Sequence, residues 1–258
     1  MPEAVDVRQF YAYPDRSTRI QDDPVANFAR LGLPFPKALL GYRSPNGQID
    51  SRTRLGATSL RQGDIPADFL EANAVHLCPL DYLTHSVLPA VLRQSEVATI
   101  TLDPSPGYMN SIYWNDVPAL ITGLSAFMPS EEEITALFQG RSSDLWEMME
   151  ALAVYGCDII VVKRGEKGQL LYDAARRARW EIPSYVSRLF DPMGAGDAFC
   201  GGFLVFYLPT YEPLEAALYG NISASLVIEG AGAFYALDAM PGLARARLES
   251  LRQNVRKV

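Results

Sequence analysis

Residues 191–199, Asp-Pro-Met-Gly-Ala-Gly-Asp-Ala-Phe, place small residues and a carboxylate at the start of an apolar helix. Gly194, Ala195 and Gly196 would let backbone N–H groups approach an anion closely, because the first amides of a helix have no intrahelical acceptor and the helix dipole adds positive potential. Asp197 would lie beside that anion, where it could accept a proton from an attacking hydroxyl. The pattern therefore predicts a phosphoryl-transfer site. The alternative is that Asp197 caps the helix and the glycines allow close helix–sheet packing.

The elements that must position this run follow from hydrophobic patterning. Strands are predicted at residues 74–77, 97–102, 119–124, 158–163 and 169–172. Helices are predicted at residues 84–94, 144–155, 195–207, 213–229 and 243–255, and another begins after Ser130 as its N-cap. The strand at 158–163 is apolar on both faces, as in a parallel sheet covered by helices on each side. The sequence thus predicts an α/β fold, a three-layer αβα sheet that is mostly parallel, with a hairpin around the turn at 165–168.

Residues 1–70 have a different pattern from the rest of the chain. Prolines and glycines interrupt this segment too often for long helices, and the alternating residues 5–13 are typical of a strand with one covered face. The pattern predicts a small β-rich lid or subdomain over residues 1–70, ahead of an α/β core over residues 71–258. Open strand edges in such a lid could pair with a second copy, which predicts a homodimer.

Composition excludes several classes of partner. The net charge is −7, from 23 basic and 30 acidic residues, whereas nucleic-acid binders usually carry a basic surplus. No apolar run approaches the ~20 residues of a membrane-spanning helix, and the N-terminal sequence lacks the basic start and apolar stretch of a secretory signal. Three widely spaced cysteines, with no metal-ligand spacing, fit a reducing compartment. We therefore expect a cytoplasmic protein that binds neither nucleic acid nor membrane.

Residues 191–202 resemble the C-terminal signature of the PfkB (ribokinase-like) carbohydrate kinases, Asp-Thr-x-Gly-Ala-Gly-Asp-x-Phe followed by glycine. The similarity extends over roughly residues 40–258 on the alternation of strands and helices. It implies a ribokinase-like fold, with residues 71–258 as nucleotide-binding and catalytic core. It also implies ATP-dependent phosphorylation of a hydroxyl on a small sugar-like or nucleoside-like substrate. In that family pattern Asp197 is the catalytic base, and the anion hole is formed by Gly194, Ala195 and Gly196.

The resemblance implies nucleotide contacts elsewhere in the chain. Lys163, Gly165 and Gly168 match the family's Thr-x-Gly-x-x-Gly turn near the nucleotide, with lysine where threonine is common. A lysine at that position could reach phosphate as a point charge. Gly230 and Gly232 resemble the stretch that flanks the adenine pocket and the cation loop, although glycines after a helix are also ordinary C-cap residues.

Metal contacts are implied in the same way. Glu133 matches the last residue of the family's Asn-x-x-Glu motif, which is linked to Mg²⁺ and phosphate, and Ser130 replaces the asparagine. The alternative is that Ser130 and Glu133 form a plain capping box. Asp191 matches the family's aspartate beside a monovalent-cation site, such as one for K⁺.

Several departures from the family pattern leave two hypotheses open. Pro192 replaces threonine and removes a backbone donor, and the family's N-terminal sugar-binding segment and Gly-Gly-x-x-x-Asn motif are not recognised. The first hypothesis is an active small-molecule kinase, favoured by the intact Gly-Ala-Gly-Asp run. The second is a catalytically weak or silent relative that binds nucleotide as a regulatory or interaction protein. A start codon upstream of Met1 would also account for the missing motifs.

Overall fold

The computed structural model describes residues 8–14, 19–44, 49–56, 58–95 and 97–258. Its strands form one seven-stranded sheet in the order in which they occur along the chain: β1 (Ala74–Leu77), β2 (Thr99–Leu102), β3 (Ala126–Phe127), β4 (Ile159–Lys163), β5 (Gln169–Asp173), β6 (Ala178–Ile182) and β7 (Arg256–Lys257). Strands β1 to β4 are parallel to one another, and the pairs β4–β5, β5–β6 and β6–β7 are antiparallel. The predicted hairpin is therefore confirmed.

The described residues form eight α-helices. They are α1 (Pro24–Arg30), α2 (Tyr82–Gln94), α3 (Val117–Ile121), α4 (Glu131–Leu137), α5 (Leu145–Ala153), α6 (Ala195–Thr210), α7 (Pro213–Val227) and α8 (Leu243–Arg252). Short 3₁₀ helices occur at Lys37–Leu39, Gln62–Asp64, Ala67–Glu71, Ser111–Tyr113, Gly165–Lys167 and Tyr235–Asp238.

Two buried apolar clusters lie on opposite sides of the sheet. Ile160 and Val162 of β4 pack with residues of α2 to α5, whereas Ile159 and Val161 pack with residues of α6 to α8. Successive side chains of a strand point to opposite faces, so a strand between two helical layers must be apolar at every position. This arrangement confirms the predicted three-layer α/β fold.

Helices α6 and α7 approach each other closely at two glycines. A Cβ on Gly202 would lie 2.9 Å from the Cβ of Ser223, and a Cβ on Gly220 would lie 2.7 Å from the carbonyl oxygen of Phe199. Gly201, by contrast, has open space beside it. Glycine at positions 202 and 220 therefore fixes how near α6 lies to α7, and with it the position of the first turn of α6.

The predicted strand at 119–124 is wrong. Residues Val117–Ile121 form α3 instead, with Pro118 in its first turn, and the third strand is Ala126–Phe127. A short apolar run does not distinguish a buried strand from a buried helix by periodicity, and a two-residue strand gives no alternation to detect. Proline in the first turn favoured the helix, since the missing N–H has no intrahelical acceptor there.

The predicted β-rich character of residues 1–70 is also not found in the described part of that segment. Its regular elements are α1 and three of the 3₁₀ helices, and its β-structure is one isolated bridge between Ala12 and Ile20. Asp23 caps α1 by accepting from the Ala26 amide at 2.9 Å. The frequent prolines break strands as well as helices, because each lacks a ladder donor. Residues 1–7, where the predicted strand 5–13 begins, lie outside the described residues. The lid role and the homodimer stay predictions.

In the part of the chain that the structure describes, no helix combines the length and apolarity needed to cross a bilayer.

Candidate phosphoryl-transfer site

The N-terminus of α6 presents free backbone donors beside a carboxylate. Gly194 is the N-cap residue, and its φ of 78° lies in the left-handed region that glycine adopts without steric cost. Among the described residues, the amides of Gly196 and Asp197 have no hydrogen-bond acceptor, whereas the Ala195 amide donates to the Pro192 carbonyl at 3.3 Å. The side chain of Asp197 is in the first turn and exposed. The turn can thus bind an anion through two amides and keep a carboxylate next to it.

The loop that leads into α6 is held to the end of α7. The amides of Phe190 and Asp191 both donate to the Ile228 carbonyl, at 2.8 and 3.1 Å. Asp191 Oδ1 accepts from the Met193 amide at 2.9 Å, which closes a local turn before Gly194. The backbone before the anion site is therefore fixed by hydrogen bonds at both of its flanks.

A buried ion pair lies at the edge of the sheet below this turn. Asp103 directly follows β2 and Lys163 ends β4, and Lys163 Nζ pairs with Asp103 Oδ2. The two side chains are 16% and 7% exposed, respectively. A Cβ built on Gly196 would lie 3.6 Å from Lys163 Nζ, so the ammonium is next to the first turn of α6. The carboxyl ends of the parallel strands thus meet the helix N-terminus, as expected for sites in open α/β sheets.

Glu133 of α4 interacts electrostatically with this ion pair, and we call Asp103, Lys163 and Glu133 the cluster. The Lys163 amide donates to the Pro129 carbonyl at 2.9 Å, which ties the end of β4 to the residue before Ser130. Glu133 Oε2 accepts from the amide and hydroxyl of Ser130, at 2.7 and 2.8 Å, and Ser130 Oγ accepts from the Glu133 amide. The capping box is therefore present, and the Glu133 carboxylate that it holds interacts electrostatically with Asp103 and Lys163.

Burial and neighbouring charges set the protonation of the cluster. Burial raises the pKa of Glu133, and the charge of Asp103 raises it further, while Lys163 acts in the opposite direction. Burial also raises the pKa of Asp103, against the opposing effect of Lys163. Desolvation would lower the pKa of Lys163, but the facing acidic groups, Asp103 and Glu133 among them, raise it above its usual range. Lys163 is thus a protonated cation among acidic groups.

Cys200 of α6 also contacts Lys163 and Asp103 of the cluster. Its Sγ lies 3.8 Å from Lys163 Nζ and 3.6 Å from Asp103 Oδ2. Burial raises the pKa of the Cys200 thiol well above its usual range, so the thiol is neutral at physiological pH. Since the sulfur carries no charge, the charged partners of Lys163 are the carboxylates.

The turn after Lys163 is built around two glycines with positive φ. Gly165 has φ 56° with open space beside it, whereas Gly168 has φ 83° and packs against the end of β6. A Cβ on Gly168 would lie 2.6 Å from the carbonyl carbon of Pro183. The predicted residues Lys163, Gly165 and Gly168 therefore occupy one turn beside the cluster.

The loop with Gly230 and Gly232 lies at the other end of the site, after α7. Tyr235 packs so closely on Gly230 that a side chain could not be accommodated there. Gly232 has φ 89°, and its carbonyl accepts from the Tyr235 amide at 3.3 Å. A cavity of about 220 Å³ opens next to this loop, between the end of α7 and the start of α8, lined by Leu226, Glu229, Tyr235, Ala236, Asp238, Ala239, Met240 and Leu243.

A family model described as pfkB family carbohydrate kinase matches residues 66–240, well over half of the 258 residues. The chain belongs to the pfkB family of carbohydrate kinases.

Relatives of this pfkB-family chain include kinases of nucleosides and sugars. The chain is 30% identical over 173 residues to a cytidine kinase of Thermococcus kodakarensis. The aligned region covers 66% of this chain and 60% of that protein. It is 27% identical over 174 residues to a ribokinase of Mus musculus, covering 64% of this chain and 52% of the relative. The chain thus spans between half and two thirds of the length of these relatives.

Solved structures confirm the ribokinase-like fold. A ribokinase from Thermotoga maritima superposes with a TM-score of 0.57 at 22% identity, covering 75% of this chain and 61% of that chain. An Arabidopsis thaliana ribokinase complexed with ribose and ATP superposes with a TM-score of 0.57 at 20% identity, covering 73% of this chain and 60% of that one.

The structure brings most of the predicted site residues of this pfkB chain together at one sheet edge. Glu133 and Lys163 interact electrostatically, and Gly196 of α6 lies next to the Lys163 ammonium. Asp191 is tied instead to Met193, and no contact among the described residues joins Asp191 to Glu133. Asp103 was not predicted as a site residue. Its position directly after a predicted parallel strand was the available signal, because the carboxyl ends of such strands line ligand sites.

Proposed function

We propose that the protein transfers the terminal phosphoryl group of ATP to a hydroxyl of a small sugar-like or nucleoside-like substrate. The observation that carries this proposal is the N-terminus of α6, where free amides of Gly196 and Asp197 adjoin both the Asp197 carboxylate and the ammonium of Lys163. Anion donors, a proton acceptor and a cation are the parts that phosphoryl transfer to an alcohol requires.

Each side chain has a defined task in this proposal. Asp197 accepts the proton of the substrate hydroxyl as that oxygen attacks phosphorus and the bond from phosphorus to the leaving oxygen of ADP breaks. The Gly194–Gly196 turn stabilises the charge on the phosphoryl oxygens through its backbone donors. The Ala195 amide donates to the Pro192 carbonyl, so the Gly196 and Asp197 amides are the better-placed donors. Asp197 thus supplies the base, and the Gly194–Gly196 turn supplies the anion hole.

The carboxylates fit a Mg²⁺ ion that is shared with nucleotide phosphates. Mg²⁺ in kinase sites is commonly held by one or two carboxylates plus phosphate oxygens, and when bound it screens the charge of the phosphates. Glu133 has one oxygen, Oε1, outside its bonds with Ser130, which suits it to this role. No group of three or more potential metal ligands occurs among the described residues, so an all-protein metal cage is not part of the proposal. A K⁺ ion beside Asp191 is proposed on the family resemblance alone.

Nucleotide contacts are proposed at the two glycine-rich turns. Gly165 and Gly168 shape the turn after Lys163, and Gly230 and Gly232 shape the loop beside the cavity of about 220 Å³. The cavity is of a size to accept part of a planar base, and the first turn of α6 lies across the same edge of the sheet. We also propose that the protein is cytoplasmic and forms a homodimer.

The test is ATP turnover by the parent chain against a panel of ribose, other sugars, cytidine and other nucleosides. The named activities of the relatives, on cytidine, on nucleosides and on ribose, set the panel. We expect one acceptor to stimulate ADP release and to gain a phosphate that is detected by mass spectrometry. Turnover that no acceptor stimulates, alongside measurable nucleotide binding, would contradict the proposal.

A second candidate is a nucleotide-binding relative with weak or no catalysis. It is favoured by Pro192, which has no backbone N–H to donate before the anion site. This candidate predicts that nucleotide binds equally well to the parent and to Asp197→Asn, with no phosphorylated acceptor from either.

A further inference from the structure

We propose that Lys163, positioned by Asp103, is a fixed cation of the phosphoryl-transfer site that contacts the transferred phosphate directly. It would let the site bind phosphate without a divalent metal. This inference rests on the proposed function for the identity of the ligand. It assigns a catalytic contact to Lys163 and a positioning role to Asp103, which had no predicted role.

The placement of the ammonium supports a direct contact with phosphate. Lys163 Nζ lies 3.6 Å from the position of a Cβ on Gly196, and the Gly196 amide has no acceptor in the described part of the chain. Glycine at position 196 leaves the approach between the ammonium and the first turn of α6 open. An oxygen bound to that turn would therefore lie within reach of both the backbone amides and the cation.

The hydrogen bonds of Lys163 leave one donor available. An ammonium has three N–H donors, and Nζ donates to Asp103 Oδ2 and, weakly, to Cys200 Sγ at 3.8 Å. No further acceptor is found for it among the described residues. A phosphate oxygen bound at the first turn of α6 could accept this third hydrogen bond, which would be charge-assisted.

The charges around the site make this cation necessary. Asp103, Glu133 and Asp197 would together repel an incoming polyphosphate, and Lys163, which pairs with Asp103, is a cation that opposes these charges. Its side chain is 16% exposed, so its charge is screened less than that of a surface lysine. Asp103 holds one N–H of the ammonium and so fixes the direction of the remaining donors.

The direct test is calorimetric titration of inorganic tripolyphosphate into the full chain in EDTA. We expect the parent to bind without metal and Lys163→Met to bind roughly 10- to 100-fold more weakly, as for loss of a charge-assisted hydrogen bond. Lys257→Met, an equal change at an exposed lysine of β7, is the control and should leave the affinity unchanged. Parent-like binding by Lys163→Met would overturn the inference.

Lys163→Met leaves Asp103 as a buried unpaired charge, which can unfold a protein. The double variant Asp103→Asn with Lys163→Met removes both charges together and keeps the fold testable by circular dichroism. We expect it to bind tripolyphosphate about tenfold more weakly than the parent does. Parent-like affinity in the double variant would contradict the direct contact.

The positioning role has a separate readout. Asp103→Asn alone keeps the ammonium but no longer fixes its direction, so we expect tripolyphosphate to bind more weakly than to the parent, with a smaller loss than in Lys163→Met, and kcat to fall. Parent-like tripolyphosphate affinity and kcat in Asp103→Asn would refute positioning. A parent that binds tripolyphosphate only with Mg²⁺ would refute the metal-free cation and leave the proposed function intact, whereas no binding even with Mg²⁺ would refute both.

Discussion

His76 and His85 are held neutral next to the carboxyl ends of the first two strands. Burial lowers the pKa of His76 to about 4, and the nearby Lys163 acts in the same direction. Burial also lowers the pKa of His85 to about 4, although its hydrogen bond with the Cys78 carbonyl opposes the shift. His85 Nδ1 lies 2.7 Å from the Tyr108 hydroxyl, and His76 Nδ1 lies 2.9 Å from Thr101 Oγ1.

These environments predict how stability depends on pH. A folded pKa below the unfolded value means that the unfolded chain binds protons first as pH falls. The contribution of each histidine is therefore present above pH ~6.5 and is lost between about 6.5 and 4. We expect a loss of about 2 kcal/mol per histidine between pH 7 and 5 in urea denaturation.

The chain has two histidines, so proton NMR can follow each ring directly. We expect both ring signals to titrate with midpoints near 4, and His76→Asn assigns them by removing one. A midpoint near the model-peptide value for either ring would show that it is solvated. The raised pKa values of Asp103 and Glu133 act on stability with the opposite sign, which is why the ring signals are the cleaner readout.

At the scale of elements, the packing of α6 on α7 sets the position of the anion site. Gly202→Ala places a Cβ 2.9 Å from that of Ser223, and such overpacking costs about 1–3 kcal/mol. We expect it to lower the urea midpoint and to weaken phosphate binding, because α6 must shift. Gly201→Ala, one residue earlier and facing open space, should instead raise stability by roughly 0.5–1 kcal/mol. Equal effects of the two changes would show that the helix contact is unimportant.

The turn after β4 offers a second pair of matched glycine-to-alanine substitutions. Gly165→Ala and Gly168→Ala both place alanine at positive φ, but only at Gly168 would the new Cβ overlap backbone, 2.6 Å from the carbonyl carbon of Pro183. We expect Gly165→Ala to cost about 1 kcal/mol and Gly168→Ala about 3 kcal/mol or more, measured by thermal and urea denaturation. If Gly168→Ala cost no more than Gly165→Ala, the packing of this turn on β6 would be wrong.

Elements with strong local signals were predictable, and the others depended on distant contacts. The capping serine at position 130 and the doubly apolar run at 158–163 predicted α4 and β4 from the sequence. Helix α3 was predicted as a strand, since its apolar run is too short for periodicity to decide. The pairing of Lys163 with Asp103 joins residues 60 positions apart, so no local pattern could indicate it. The motif at Gly194–Asp197 was found because its chemistry is local.

At the scale of the whole molecule, two apolar cores hold one sheet whose parallel half carries the charged groups. The cores contain α2 to α5 on one face and α6 to α8 on the other, and Asp103, Lys163 and the start of α6 meet at the strand ends between them. The apolar cores thus supply the stability of the fold, and the buried charged groups lie at the carboxyl ends of the parallel strands. The N-terminal segment approaches the same edge, where the Tyr13 hydroxyl donates to Met193 Sδ at 3.2 Å.

The central claim is that Asp197 acts as the base of phosphoryl transfer. The most direct measurement compares the parent with Asp197→Asn at saturating ATP and acceptor, with ATP affinity measured separately by calorimetry. We predict that kcat falls about 10²- to 10⁴-fold while the Kd for ATP changes less than about threefold, because the carboxylate acts on the proton and not on nucleotide binding. An Asp197→Asn variant that turns over at the parent's rate would contradict the claim.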